Sequence, residues 1–142
     1  MAITIREGIP EDIPSVLLLI KELAVYERAG NEVITTEKSM YEDAFGTHSA
    51  FSFIVAVEEN GSIVGTAVYF YTYSTWKGRA FHLEDLVVAE KWRRLGIGKL
   101  LFDWLVKTAD GLGLKRFTWQ VLEWNTPAIE FYKKINAELD PE

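Results

Sequence analysis

The sequence predicts an α/β domain built on a mixed, mainly antiparallel central sheet flanked by helices. Three observations carry that prediction. Apolar residues recur at three- and four-residue spacing over residues 11–26 and 96–112, as amphipathic helices require. Three β-rich runs follow one another between residues 51 and 88 with turn signals between them. A further strand-like run and a short helix then follow the second long helix, giving the order β-α-α-β-β-β-α-β-α.

Residues 3–6 form the opening strand, and 11–26 the first helix, with Ile13, Leu17, Ile20, Leu23 and Ala24 on its apolar stripe. After a loop over 28–34, Thr35 and Thr36 are capping types ahead of a second helix at 37–45. Met40, Tyr41 and Ala44 supply its inner face and Gly46 its stop. The strands at 51–57 and 63–71 flank Glu58-Glu59-Asn60-Gly61-Ser62, and Asn-Gly is a hairpin signal, so they should be antiparallel neighbours. The turn Trp76-Lys77-Gly78 leads into a third strand at 80–88, where Phe81, Leu83, Leu86 and Val88 are apolar and the alternation breaks near Glu84-Asp85, as a β-bulge would require. Ile97, Leu100, Leu101, Trp104, Leu105 and Ala109 mark the next helix, which ends at Gly111 and Gly113. A strand at 116–122 and a helix at 128–134, entered through Thr126-Pro127, complete the pattern.

Composition narrows the function. A chain of 142 residues with 49% apolar and 25% charged residues is expected to form one domain over 1–142. No apolar run approaches the roughly 18 residues of a membrane span, so no membrane partner is expected. The start, MAITIREGIP, lacks the basic and apolar regions of a secretory signal, and there is no cysteine, which points to the cytoplasm. The two histidines, His48 and His82, form no cluster at metal-ligand spacing, and no metal is expected; both read as structural or surface residues. A net charge of -6 argues against nucleic acid and suits a cationic small-molecule partner.

Arg93-Arg94-Leu95-Gly96-Ile97-Gly98-Lys99 follows a strand and opens a helix, where free N–H groups and the helix dipole favour an anion. Two common phosphate loops are excluded. A P-loop would place glycine at Arg93 and Ser or Thr at Leu100, and the dinucleotide fingerprint would place glycine at Leu101.

The spacing Arg93-x-x-Gly96-x-Gly98 resembles the acetyl-CoA diphosphate motif of the GNAT superfamily of N-acetyltransferases. The segments LIKELAVYE (19–27), YFYTY (69–73), LEDLVV (83–88) and EWNTPAIEFY (123–132) extend the resemblance to the spermidine/spermine and thialysine acetyltransferase branch. The likeness covers nearly the whole chain to about Ala137. Such enzymes usually continue through a further strand, so a sheet edge is expected to be missing or completed by a partner chain.

The resemblance implies a GNAT-type sheet, acetyl-CoA as co-substrate, a homodimer, and direct transfer of acetyl to a primary amine of a polyamine, thialysine or similar small cation. The amides of Arg93, Arg94, Leu95, Gly96, Ile97, Gly98 and Lys99 would hold the diphosphate, with Arg93, Arg94 and Lys99 also within reach of the adenosine phosphate. Leu86, Val87 and Val88 would line the pantetheine arm, and Asn125, Thr126, Pro127 and Ala128 would make a second cofactor contact. Tyr26, Glu27, Glu84, Asp85, Trp119 and Gln120 would meet the acceptor. Strand alternation sends Glu84 and Asp85 to opposite faces unless the bulge redirects one.

Tyr132 falls at the family's general-acid position. Full transfer from a phenol to a departing thiolate is uphill by roughly 2 kcal/mol, so donation within a hydrogen bond matters as much. Deprotonating a lysine-like ammonium at pH 7 costs about 4.6 kcal/mol, which calls for a base or a water relay, with Glu84 the nearest carboxylate by resemblance. Tyr69, Tyr71, Tyr73 and Trp76 read as packing for the sheet, with a cation-binding wall as the alternative. Two other functions share these motifs: acetylation of a protein or peptide, and a non-catalytic acyl-CoA-binding module.

Overall fold

In this computed structural model the described residues are 2–114 and 116–119. Strand β1 (Thr4–Glu7) is tied to the start of helix α1 (Ile13–Tyr26) by a bidentate contact. Arg6 donates to both oxygens of the buried Asp12 carboxylate at 2.7 and 3.0 Å, and the Ile9 N–H donates to the same carboxylate at 2.9 Å. These bonds fix the 3₁₀ turn Pro10–Asp12 that leads into α1, so the α-helical geometry begins two residues later than the apolar spacing suggests. Helix α2 (Glu37–Phe45) has the expected Thr36 cap, closed reciprocally by Ser39.

Strands β2 (Ser52–Val57), β3 (Ile63–Ser74) and β4 (Gly78–Val88) form the expected antiparallel meander, and β5 (Arg116–Trp119) pairs parallel to β4. The sheet order among the described residues is β1-β2-β3-β4-β5. The β2–β3 connection is not a two-residue Asn-Gly turn. Only Gly61 takes a positive φ, and the Glu58 carboxylate accepts from the N–H groups of Asn60 and Ser62, which stabilises a longer loop.

Helix α3 (Ile97–Gly111) covers one face of the sheet, packing Ile97, Leu101, Phe102 and Leu105 against Ile54, Ala67, Phe81 and Leu83. Helices α1 and α2 cover the other, where Ile13, Val16, Leu17 and Met40 meet Phe53, Val55 and Val68. Two predicted inward residues, Tyr41 and Leu100, are exposed, because each helix needs only a narrow stripe against a flat sheet.

The packing expected of the aromatic residues of the β3–β4 hairpin holds for Tyr69 and Tyr71, whose rings lie 5.0 and 4.8 Å from that of Phe81, and is corrected for Tyr73 and Trp76. Tyr69 is buried, and its phenol is pushed up to about 12 chiefly by that burial. Tyr73 and Trp76 are exposed, Trp76 to 94%. The reason is reach: β2 pairs with β3 only as far as Tyr69, and the hairpin runs on past it.

Candidate active site

The bulge falls where the alternation breaks. Val68 pairs with Asp85 and Tyr69 with Leu83, so Glu84 is the extra residue on β4. Cross-strand partners share a face, and Val68 packs under α1, so Asp85 is carried to the α1 side. Glu84 lies on that side too, its carboxylate 3.8 Å from the ring of His82, which stacks against Phe70. The opposite-face expectation for Glu84 and Asp85 is thus resolved by the bulge, which turns two consecutive carboxylates the same way.

Asp85 is half-buried, and its carboxyl is pushed up to about 6, first by burial and then by the negative charges of Glu84 and Glu27. Glu27 caps the C-terminus of α1, with Tyr26 beside it half in solvent. Three carboxylates, from the end of one helix and the kink of one strand, therefore converge. Such a cluster lowers the free energy of a bound cation and is costly without one.

Beyond the bulge, Val87 is buried, and Leu86 and Val88 pack toward the α3 core. Their side chains are committed to the interior, which leaves the backbone edge of β4 as the part of this segment able to line an extended ligand.

The glycine loop has the geometry of an anion cradle. Gly96 is left-handed at the N-cap of α3, Arg94 is also at positive φ, and the change to right-handed backbone at Ile97 turns successive amides toward one side. Among the described residues, no carbonyl accepts from the N–H groups of residues 94–99, the first helical bond being Leu100 N–H to Gly96 O at 3.1 Å. A diphosphate fits these donors. The loop's cations divide the work differently from expectation. Arg93 donates through Nε to Val88 O at 2.9 Å and pairs with Glu22 of α1 at 3.1 Å, and Lys99 pairs with Asp103 at 2.7 Å. Among the described residues Arg94 makes no ion pair, which leaves it available to an anion.

Trp119 ends β5, in register with Leu83 beside the bulge. Gln120, Asn125, Thr126, Pro127, Ala128 and Tyr132, with the helix expected at 128–134, lie outside the described residues. His82, expected to be structural or at the surface, is held by Thr118 and packed on Phe70, and its Nε2 stands 3.8 Å from Glu84, a neighbour that a lone histidine in a strand does not signal in the sequence. His48 is exposed, as expected.

A mainly antiparallel sheet, a helix entered through an amide cradle, and an acidic cluster beside it suit transfer from a diphosphate-bearing donor to a cation. The acetyltransferase (GNAT) family profile matches residues 19–137, and the chain belongs to that family. It is an acetyl-CoA-dependent N-acetyltransferase. Thialysine N-epsilon-acetyltransferase of Sus scrofa is 35% identical over 143 residues, covering 96% of this chain and 84% of that protein. Spermidine/spermine N(1)-acetyltransferase-like protein 1 of Homo sapiens is 31% identical over 139 residues, 94% of this chain and 20% of that protein. A solved Bacillus halodurans structure superposes with a TM-score of 0.82 at 22% identity, covering 98% of this chain and 96% of its own, a likeness of fold. Among the described residues no helix is long and apolar enough to cross a membrane.

Proposed function

We propose that residues 1–142 form a single catalytic domain that transfers acetyl directly from acetyl-CoA to a primary amine of a small cationic acceptor of the polyamine or thialysine type. The observation that carries this reading is the bulge at Glu84, which sets Glu84 and Asp85 beside Glu27 in one acidic cluster. The thialysine and spermidine/spermine relatives support the same acceptor class. A protein substrate is less well supported, since none of the relatives compared above is named for one.

In this proposal Tyr26, Glu27, Asp85, Trp119 and Gln120 bind and orient the acceptor. Glu84 takes up the ammonium proton, directly or through water, so that a neutral amine reaches the acyl carbon. The amides of residues 93–99 hold the diphosphate, the β4 edge at Leu86, Val87 and Val88 aligns the pantetheine arm, and Asn125, Thr126, Pro127 and Ala128 add a second contact. Tyr132 donates to the sulfur as it leaves. Homodimerisation and a cytoplasmic setting complete the proposal; the exposed aromatic end of the β3–β4 hairpin supports the first, and the cysteine-free composition the second.

The test is thiol release from acetyl-CoA with spermidine, spermine, putrescine, thialysine, lysine and an N-terminal peptide in turn, after calorimetry of acetyl-CoA alone. Turnover of one or more of the polyamines or lysine-like amines is expected, and turnover of the peptide alone overturns the acceptor class. Tyr132→Phe should bind acetyl-CoA normally and turn over at least tenfold more slowly, within the range of general-acid effects. Unchanged turnover would remove Tyr132 from the mechanism.

A further inference from the structure

One ring nitrogen of His82 is held by the neighbouring strand, and the other faces the acidic cluster. It sits on β4 in register with Thr118 of β5, and its Nδ1 lies 2.7 Å from the Thr118 hydroxyl oxygen. Its ring centroid is 5.2 Å from that of Phe70, so the imidazole is held on two sides and is only 17% exposed. Glu84, by contrast, is 57% exposed at the crest of the bulge, and its Oε1 stands 3.8 Å from His82 Nε2.

The proton on the imidazole can be placed from these contacts. Thr118 has one hydroxyl proton and two acceptors to choose from, Nδ1 at 2.7 Å and Phe81 O at 3.5 Å. The 2.7 Å contact is a hydrogen bond whichever atom donates, and the negative Glu84 carboxylate opposite Nε2 favours the arrangement in which Thr118 gives its proton to Nδ1 and the ring proton sits on Nε2. Nδ1 is then the acceptor, and the ring proton lies on Nε2, facing Glu84. A doubly protonated ring would also present Nε2–H there. A half-exposed carboxylate beside Asp85 and Glu27 is otherwise driven outward by like charge. The Nε2–H is the donor that turns it back, across a gap of 3.8 Å that a small rotation of Glu84 closes.

We infer that His82 is a positioning residue: oriented by Thr118, it holds the Glu84 carboxylate toward the acceptor amine. The inference rests on the reading of Glu84 as the acceptor's carboxylate. It assigns to Thr118 a role as well, as the group that anchors the ring through Nδ1.

Asparagine and glutamine separate this role from a packing role. In His82→Asn the amide can reach the Nδ1 position and keep Thr118 but leaves Glu84 without a donor; in His82→Gln it can reach the Nε2 position and keep Glu84. With acetyl-CoA and thialysine or spermidine, His82→Asn is expected to lower kcat/KM for the amine about tenfold, a fraction of what a general base contributes. The KM for acetyl-CoA should not change, and His82→Gln should retain more than half the activity. In a Glu84→Gln background His82→Asn should add no further loss, because it acts through that carboxylate. Thr118→Val, which leaves His82 in place, should lose about threefold and serves if either His82 variant folds poorly. An Asn variant as active as Gln or more so, or additive losses in the double variant, overturns the inference while the acceptor reading stands. Full turnover by Glu84→Gln alone overturns the acceptor reading and the inference with it.

Discussion

The Arg93 guanidinium meets the Glu22 carboxylate at 3.1 Å, joining residues 71 apart in the chain and tying the glycine loop to the helix that carries Tyr26 and Glu27. Its Nε simultaneously holds the last carbonyl of β4, at Val88. The arginine of the glycine motif therefore acts as a brace between the glycine loop, the end of β4 and α1. Glu22→Ala should cost less than about 1 kcal/mol of stability, since both partners are partly exposed. Arg93→Ala, which also abandons Val88 O, should raise the KM for acetyl-CoA about tenfold against roughly threefold for Glu22→Ala, each expected ratio corresponding to no more than about 1.4 kcal/mol. Steady-state kinetics with acetyl-CoA varied checks the order.

Asp85 makes stability depend on pH in an unusual direction. Its carboxyl is raised to about 6 by burial, Glu84 and Glu27, against about 3.9 in an unfolded chain. A raised acid binds its proton more tightly when folded, so its contribution is fully present below about pH 4 and is lost as pH rises through about 6. The loss is of the order of 3 kcal/mol for this one group. Asp85→Asn should therefore be more stable than the parent protein at pH 7 and should flatten this decline between pH 4 and 6 in urea titrations. Binding of a cationic acceptor at pH 6 should release protons, measurable by calorimetry in buffers of different ionisation enthalpy, and Asp85→Asn should abolish most of that release.

Gly65 lets α3 lie close to the sheet beneath the glycine loop. A Cβ there would stand 3.3 Å from Leu101 Cδ1 and from Val87 O, and 3.4 Å from Ile97 Cγ2. Two of those neighbours belong to the first turns of α3. Gly65→Ala should destabilise by about 1–3 kcal/mol, the range for overpacking, and should weaken acetyl-CoA binding because the helix start must shift. Thermal melts with and without acetyl-CoA would show both effects, the ligand-induced shift shrinking in the variant.

Arg94 combines backbone strain with an available charge. Its φ of 66° is a conformation that glycine adopts freely and arginine does not. Arg94→Gly should stabilise the free protein by about 0.5–1 kcal/mol and yet lower acetyl-CoA affinity several-fold through the lost cation. The drop in affinity should shrink in 0.5 M salt, since exposed charge is screened.

The amino-acid sequence by itself determined the element order as far as β5, the meander, the Thr36 cap, and where the glycine loop and the carboxylate pair fall in the chain. Those signals are local: spacing along a helix, alternation along a strand, glycines at a helix entry. The break in alternation at Glu84-Asp85 even located the bulge, because inserting one residue must leave a mark in a period of two. What only the tertiary structure decided is direction and partnership. Whether Glu84 and Asp85 share a face depended on the register with Val68 and Tyr69. That Arg93 braces Glu22 depended on α1 lying beside the loop. That His82 touches Glu84 while held by Thr118 depended on the parallel pairing of β4 with β5. Contacts between residues distant in the chain leave no period in the sequence, and the exposure of Tyr73 and Trp76 follows from how far one hairpin outruns its neighbour, a length that only the assembled sheet defines.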